Sequence, residues 1–267
     1  MSDPTTRPLA VVTGASSGIG YELAKQFARN GFDLVIAAED EGISQAARDV
    51  EEHGASVEPV RTDLASYDGV EQLWRQVSSD GRPLAALAIN AGVGVGGAFA
   101  TTDLEEELRL VDLNVRSAVH LAKRGVQDMV ARGDGRILFT SSIAATQPGP
   151  FEAAYAASKA FLLSFSEALR NELKDTGITV TALMPGPTDT EFFDRAQMRD
   201  TRVGAGRKDD AAEVARHGFE AMMKGRDHVV AGSPTNKVIA GASKLAPETV
   251  KAQMHRKLSE PGSGQPG

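Results

Sequence analysis

The segment that most restricts the fold lies near the start of the chain. The apolar run Leu9–Thr13 passes directly into Thr13-Gly14-Ala15-Ser16-Ser17-Gly18-Ile19-Gly20, and this into Tyr21-Glu22-Leu23-Ala24-Lys25-Gln26-Phe27. The first run reads as a strand and the last as an amphipathic helix. A strand, a glycine turn and a helix in this order leave backbone amides and the helix amino terminus free to approach a pyrophosphate without side-chain obstruction. The glycine spacing differs from the three-glycine dinucleotide fingerprint, so the turn alone also fits an ordinary glycine-rich connection.

The same alternation continues along the chain. Apolar, β-rich runs at Leu9–Thr13, Asp33–Ala37, Ser56–Val60, Leu84–Ile89, Arg136–Thr140, Ile178–Leu183 and His228–Ala231 are separated by longer amphipathic stretches. Several runs are continuously apolar, as a parallel strand is when helices cover both its faces. The expectation is an α/β fold, a doubly wound parallel sheet of about seven strands with six intervening helices. Helix signals agree: Asn30-Gly31 closes the first helix, Thr101-Thr102-Asp103 caps a long one starting near Leu104, and Gly177 follows the helix through Phe161 and Leu169. No Pro/Gly/Ser-rich linker divides the middle, so one domain is expected over residues 8–258, between disordered tails at 1–7 and 259–267.

Composition narrows the classes of function. With 29 basic and 36 acidic residues the formal charge is −7, which disfavours a nucleic-acid surface. Cysteine is absent, which removes thiolate catalysis and thiolate-ligated metals. The five histidines, His53, His120, His217, His228 and His255, are dispersed without a closely spaced ligand pair, so no metal site is expected. The start of the chain lacks the pattern of a signal peptide or anchor, and the longest apolar stretches are too short for a bilayer. A cytoplasmic protein acting on a small molecule is the expectation.

Two further features carry chemistry. Glu39 lies nineteen residues beyond Gly20, at the end of the second strand, where a carboxylate can accept hydrogen bonds from the adenosine ribose and repel a 2′-phosphate. The bland alternative is a solvated acidic cluster, Glu39-Asp40-Glu41, leading into a helix. In Tyr155-Ala156-Ala157-Ser158-Lys159 the phenol and ammonium are four positions apart and share one helix face. The cation can lower the tyrosine pKa and fit it to exchange a proton with an alcohol. Alone, that spacing is more often a surface pair.

With Asn90-Ala91-Gly92 after the fourth strand, Asn114 in the long helix, Ser142 after the fifth strand and Pro185-Gly186 after the sixth, the chain resembles the short-chain dehydrogenase/reductase family over about residues 8–232. The resemblance implies a Rossmann-type fold and a nicotinamide-dependent oxidoreductase acting on an alcohol or carbonyl substrate. It makes Tyr155 the acid/base and places Lys159 on the nicotinamide ribose, where it depresses the Tyr155 pKa. Ser142, with Ser141 as the competing serine, hydrogen-bonds the substrate oxygen, and Asn114 holds a relay water. Gly14, Ser16, Ser17, Gly18 and Ile19 match the pyrophosphate turn; Asp63 and Leu64 the adenine side; Asn90, with Ala91 and Gly92, the adenosine ribose; Pro185, Gly186, Thr188 and Thr190 the segment near the carboxamide. Where similar members often carry a basic residue for NADP, this chain has Glu39, so NAD is expected, with NADP the alternative if Arg61 or another cation reaches a 2′-phosphate. The resemblance also implies a homo-oligomer, a tetramer pairing through helices Leu104–Val130 and Phe151–Lys174.

The substrate is not legible. Residues 190–210 are expected to form a lid carrying Phe192, Phe193, Met198, Arg195, Arg199, Arg202 and Arg207, the arginines being either solvated or aimed at an anionic substrate. The alternative to an active enzyme is a dinucleotide-sensing or scaffold protein of the same fold.

Overall fold

A computed structural model describes residues 7–79, 81–233, 236 and 247–264. Seven strands form one parallel sheet: β1 (Leu9–Thr13), β2 (Asp33–Ala38), β3 (Val57–Arg61), β4 (Leu84–Ile89), β5 (Gly135–Thr140), β6 (Ile178–Pro185) and β7 (His228–Ala231). Their spatial order is β3-β2-β1-β4-β5-β6-β7, with every pairing parallel. The sequence therefore places all seven strands, with ends shifted by at most two residues.

Strands this uniformly apolar are explained by the layers. On β1, Ala10 and Val12 join one core and Leu9 and Val11 the other; on β2, Leu34 and Ile36 alternate with Val35 and Ala37 in the same way. One core is completed by α1 (Gly18–Arg29), α2 (Ile43–Glu51) and α9 (Ala211–Met223), the other by α3 (Tyr67–Ser79), α5 (Ala118–Val130) and α6 (Ala153–Glu172). Phe27 of α1 meets Phe219 of α9 edge to face, with ring centroids 5.1 Å apart. Each such buried side chain contributes about 1.5–3 kcal/mol of transfer free energy.

Three differences from the sequence reading have physical causes. The expected long helix from Leu104 is α4 (Leu104–Val111), then a π-helical stretch (Asp112–Ser117), then α5. Asp103 does cap it, accepting from the Glu105 and Glu106 amides. Residues 190–210 hold two short helices, α7 (Phe192–Arg195) and α8 (Arg202–Ala205), in addition to the six expected. Disorder from Ser259 is also corrected: Ser259 ends α10 (Glu248–Ser259), and the amides of Gly262 and Gly264 donate to the Asp200 carboxylate and carbonyl, both at 2.7 Å. Arg7 is likewise placed, 3.9 Å from Asp33, while residues 1–6 and 265–267 lie outside the described residues. Among the described residues no helix is long and apolar enough to cross a membrane.

Candidate active site

Strand order reverses between β1 and β4, so the segments that leave their carboxyl ends turn to opposite faces of the sheet and open a crevice. A cleft of about 960 Å³ opens there. It is lined by the glycine turn, by Glu39, Asp63 and Leu64, by Asn90, Ala91 and Gly92, by Ser142, Tyr155 and Lys159, and by Pro185, Gly186, Thr188 and Thr190. The structure thus brings together every expected site residue except Asn114, which stands behind Gly92.

Its walls are built by short-range bonds between strand ends. Thr13 Oγ1 accepts from the amides of Asn90 and Ala91 at 3.0 and 3.1 Å, and Asn90 Nδ2 donates to the Thr13 carbonyl at 3.1 Å. Gly14 and Gly18 adopt φ of 65° and 57°, a region costly for other L residues. A Cβ on Gly14 would lie 2.9 Å from Ala91 Cα, and one on Gly18 would lie 2.9 Å from Thr190 Cγ2. Ser17 is the N-cap of α1 without a side-chain capping bond, and partly buried Ile19 packs on the core. Ser16 donates to Asp40 at 2.7 Å, which links the turn to the end of β2.

At the opposite end of the cleft, Ser142 and Ser141 take separate roles. Ser141 is buried and its hydroxyl donates to the Lys159 carbonyl at 2.8 Å. Ser142 is half-buried, accepts from the Ala144 amide at 3.1 Å, and faces Tyr155, whose ionised form its hydroxyl favours. Lys159 is buried, donates to the Thr140 carbonyl at 3.0 Å, and sits 5.6 Å from the Tyr155 ring centre. Burial pulls its ammonium down to about 8.

The expected depression of the Tyr155 pKa by Lys159 is not what these contacts produce. Burial raises the phenol above its ordinary value, the nearby Glu152 raises it further, and the Ser142 hydroxyl offsets only part. Lys159 directs its charge at a carbonyl, and desolvation disfavours the phenolate.

Asn114 is held from behind the cleft wall. It lies in the π-helical stretch, buried, with Oδ1 accepting from the Val93 amide and Nδ2 donating to the Val93 carbonyl, both at 2.9 Å, and to Ser158 at 3.1 Å. Its side chain is thereby engaged in holding the loop after β4, and Oδ1 retains one lone pair for a relay water. A Cβ on Gly92 would meet Asn114 Oδ1 at 3.1 Å and Lys159 Nζ at 3.2 Å, so both atoms flank that glycine.

Other contacts in and beside the cleft are made only by the tertiary fold. Glu152 is buried beside Tyr155, accepts from Ser259 at 2.6 Å, and lies 3.5 Å from His255 Nε2. Burial raises the Glu152 pKa and lowers that of His255. These partners arrive from α10, about a hundred residues later, which no local pattern announces. Phe192 packs on Tyr155 with ring centres 5.1 Å apart, from the segment where a lid was expected. At the far end, Arg109 of α4 donates to Glu39 at 2.5 Å and, in a fork, to Asp63 at 2.9 and 3.1 Å. That arginine lowers the Asp63 pKa.

Comparison with known proteins agrees with this fold. The family model described as short chain dehydrogenase matches residues 8–200. A short chain dehydrogenase of Pseudocercospora fijiensis is 32% identical over 186 residues, 68% of this chain and 60% of that protein. The probable oxidoreductase EphD of Mycobacterium tuberculosis is 36% identical over 186 residues, 69% of this chain but 31% of its own length. The chain thus spans less than two thirds of these relatives. Among solved structures, a short-chain dehydrogenase from Sphingobium yanoikuyae in complex with NADPH is 30% identical, with a TM-score of 0.78 over 89% of this chain and 94% of that one. Sheet order, glycine turn and family match coincide, and the chain belongs to the short-chain dehydrogenase/reductase family.

Proposed function

We propose that the protein is a nicotinamide-dependent oxidoreductase that interconverts a small alcohol and its carbonyl compound, with Tyr155 as the acid/base. The observation that carries this reading is the convergence of Ser142, Tyr155 and Lys159 at one end of a cleft whose other end is the glycine turn. The residues fit a dinucleotide: Gly14 and Gly18, where a Cβ would collide with Ala91 and Thr190, keep the turn free of side chains beside an α1 amino terminus that attracts a pyrophosphate.

In this reading Gly14, Ser16, Ser17, Gly18 and Ile19 hold the pyrophosphate; Asp63, Leu64 and Asn90 the adenosine; Pro185, Gly186, Thr188 and Thr190 the carboxamide. When bound, the cofactor supplies or accepts the hydride. Ser142 donates a hydrogen bond to the substrate oxygen and draws charge onto it. The Tyr155 hydroxyl gives its proton to that oxygen in reduction and recovers one in oxidation. Lys159, anchored on the Thr140 carbonyl, offers its remaining N–H donors to the nicotinamide ribose. Residues 190–210 close over the substrate as a lid, with Phe192 against Tyr155.

NAD is favoured over NADP because Glu39 meets the adenosine ribose with a carboxylate. The NADPH complex of the Sphingobium relative argues the other way for that protein. The homotetramer belongs to the same reading. Leu104, Leu108 and Val111 leave 66%, 50% and 43% of their surface exposed along one stripe of α4, apolar area suited to a second subunit. The cytoplasmic location rests on the sequence expectation.

A screen of ketones and secondary alcohols, followed at the absorbance of NADH and NADPH, tests the reading. Turnover of a carbonyl or alcohol with either cofactor is expected. Dinucleotide binding without turnover across a broad panel would favour the sensor or scaffold alternative.

A further inference from the structure

The two carboxylates at the adenosine end of the cleft, Glu39 after β2 and Asp63 after β3, share one counter-ion. Arg109 reaches both from α4: Nη1 and Nη2 fork onto the Asp63 oxygens at 2.9 and 3.1 Å, and Nη2 also donates to Glu39 Oε2 at 2.5 Å. All three side chains are about half exposed. A guanidinium has five N–H donors, and these bonds use three. The fork on Asp63 fixes the plane of the group, so its remaining donors are oriented before any ligand arrives.

A second cation in direct contact with Glu39 is placed differently. Arg61 donates from Nε to the Glu39 backbone carbonyl at 3.2 Å and from Nη1 to Glu41 at 2.9 Å. Arg61 and Arg75 line, together with Glu39, Asp63 and Asp68, a second depression of about 480 Å³, so this edge carries charges of both signs.

We propose that Arg109 is a specificity-determining residue that lets the adenosine subsite accept a ribose 2′-phosphate: its guanidinium releases Glu39, stays forked on Asp63, and pairs with the phosphate. The inference rests on the dinucleotide reading above. It makes the site a graded selector. With a free 2′-hydroxyl, Glu39 accepts from the ribose while Arg109 holds its other side. With a 2′-phosphate, the dianion competes with Glu39 for Arg109, and the exposed Glu39 side chain swings away. Preference for NAD then reflects keeping the Glu39–Arg109 contact, and use of NADP reflects its replacement by the phosphate.

The test uses the adenosine halves alone, which bind without turnover. The full chain is titrated calorimetrically with 5′-AMP and with 2′,5′-ADP at one ionic strength, as wild type, Arg109→Gln, Arg109→Lys and Arg61→Gln. Arg109→Gln is expected to weaken 2′,5′-ADP by about tenfold or more, and 5′-AMP by less than about threefold, because a charge-assisted bond to phosphate is lost. Arg109→Lys keeps the charge without the fork and should recover part of the loss. Equal weakening of both nucleotides would mean that Arg109 only straps α4 to the strand ends, and would overturn the inference. No weakening of either, or a larger selective loss with Arg61→Gln, would do the same. A wild type that binds 5′-AMP but not 2′,5′-ADP overturns this inference alone; one that binds neither overturns the dinucleotide reading as well.

Discussion

Replacing Gly14 with alanine tests whether the glycine turn is built for a ligand or is only a tight connection. The substitution carries two costs that the structure separates. A φ of 65° costs an L residue roughly 1–2 kcal/mol. The added Cβ would lie 2.9 Å from Ala91 Cα and 3.2 Å from Ala91 N, backbone atoms that cannot rotate away. Ordinary contact would require the β1 and β4 ends to part by several tenths of an ångström, against the bonds that Thr13 makes to Asn90 and Ala91. Overpacking of this kind costs about 1–3 kcal/mol. Gly31→Ala is the control: its φ is 86°, and its Cβ meets nothing within 4 Å. Gly31→Ala should therefore lose about 1–2 kcal/mol and Gly14→Ala about 2–5 kcal/mol, a Tm decrease of roughly 4–20 °C for the latter. Thermal unfolding gives the stability, and calorimetric titration with ADP-ribose gives the site. Only Gly14→Ala should weaken ADP-ribose, by about tenfold or more, since relieving the clash with Ala91 displaces the turn that cradles the pyrophosphate. Equal stability of the two variants, with ADP-ribose affinity intact in Gly14→Ala, would refute the argument.

Glu39→Arg should move the kcat/KM ratio from NAD(H) toward NADP(H), because it removes the acid that Arg109 holds, although Asp40 stays beside the turn through Ser16; an unchanged ratio in a folded, active enzyme would make Glu39 an ordinary surface acid. Lys159 titrates near 8 in the folded protein against 10.5 when unfolded. Between those values the unfolded chain holds more protons, so stability should rise with pH across that window, a rise that Lys159→Met should lack when urea unfolding is compared at pH 8, 9 and 10. Light scattering should give an oligomer for the wild type and a smaller species for Leu108→Glu, which places a charge in the apolar stripe of α4. A monomeric wild type over a wide concentration range would contradict the subunit assignment.

What the sequence discloses follows physical lines. The strands are legible because Ala10, Val12, Leu34 and Ile36 feed one core while Leu9, Val11, Val35 and Ala37 feed the other, leaving runs with no polar face. The glycine turn is legible because positive φ at Gly14 and Gly18 demands glycine. The π-helical stretch is not, since Asp112–Ser117 contains neither proline nor glycine and its widened turn accompanies a distant contact, Asn114 to Val93. Arg109 is silent for a similar reason: a mid-helix arginine on a helix rich in glutamate reads as a solvated partner of its own helix. The contacts of α10 are the least legible. Ser259 and His255 find Glu152 only through the tertiary fold, and the glycines that follow carry the composition of a disordered tail while their amides are bonded to Asp200.

The central claim, that Tyr155 moves the proton, is tested most directly by Tyr155→Phe assayed with a carbonyl compound that the wild type reduces. The ring stays packed on Phe192 and only the hydroxyl is lost. Turnover should fall by about 10²–10⁴-fold, with ADP-ribose affinity and thermal stability nearly unchanged. Near-normal turnover by the folded variant would contradict the account and assign the proton to another group in the cleft.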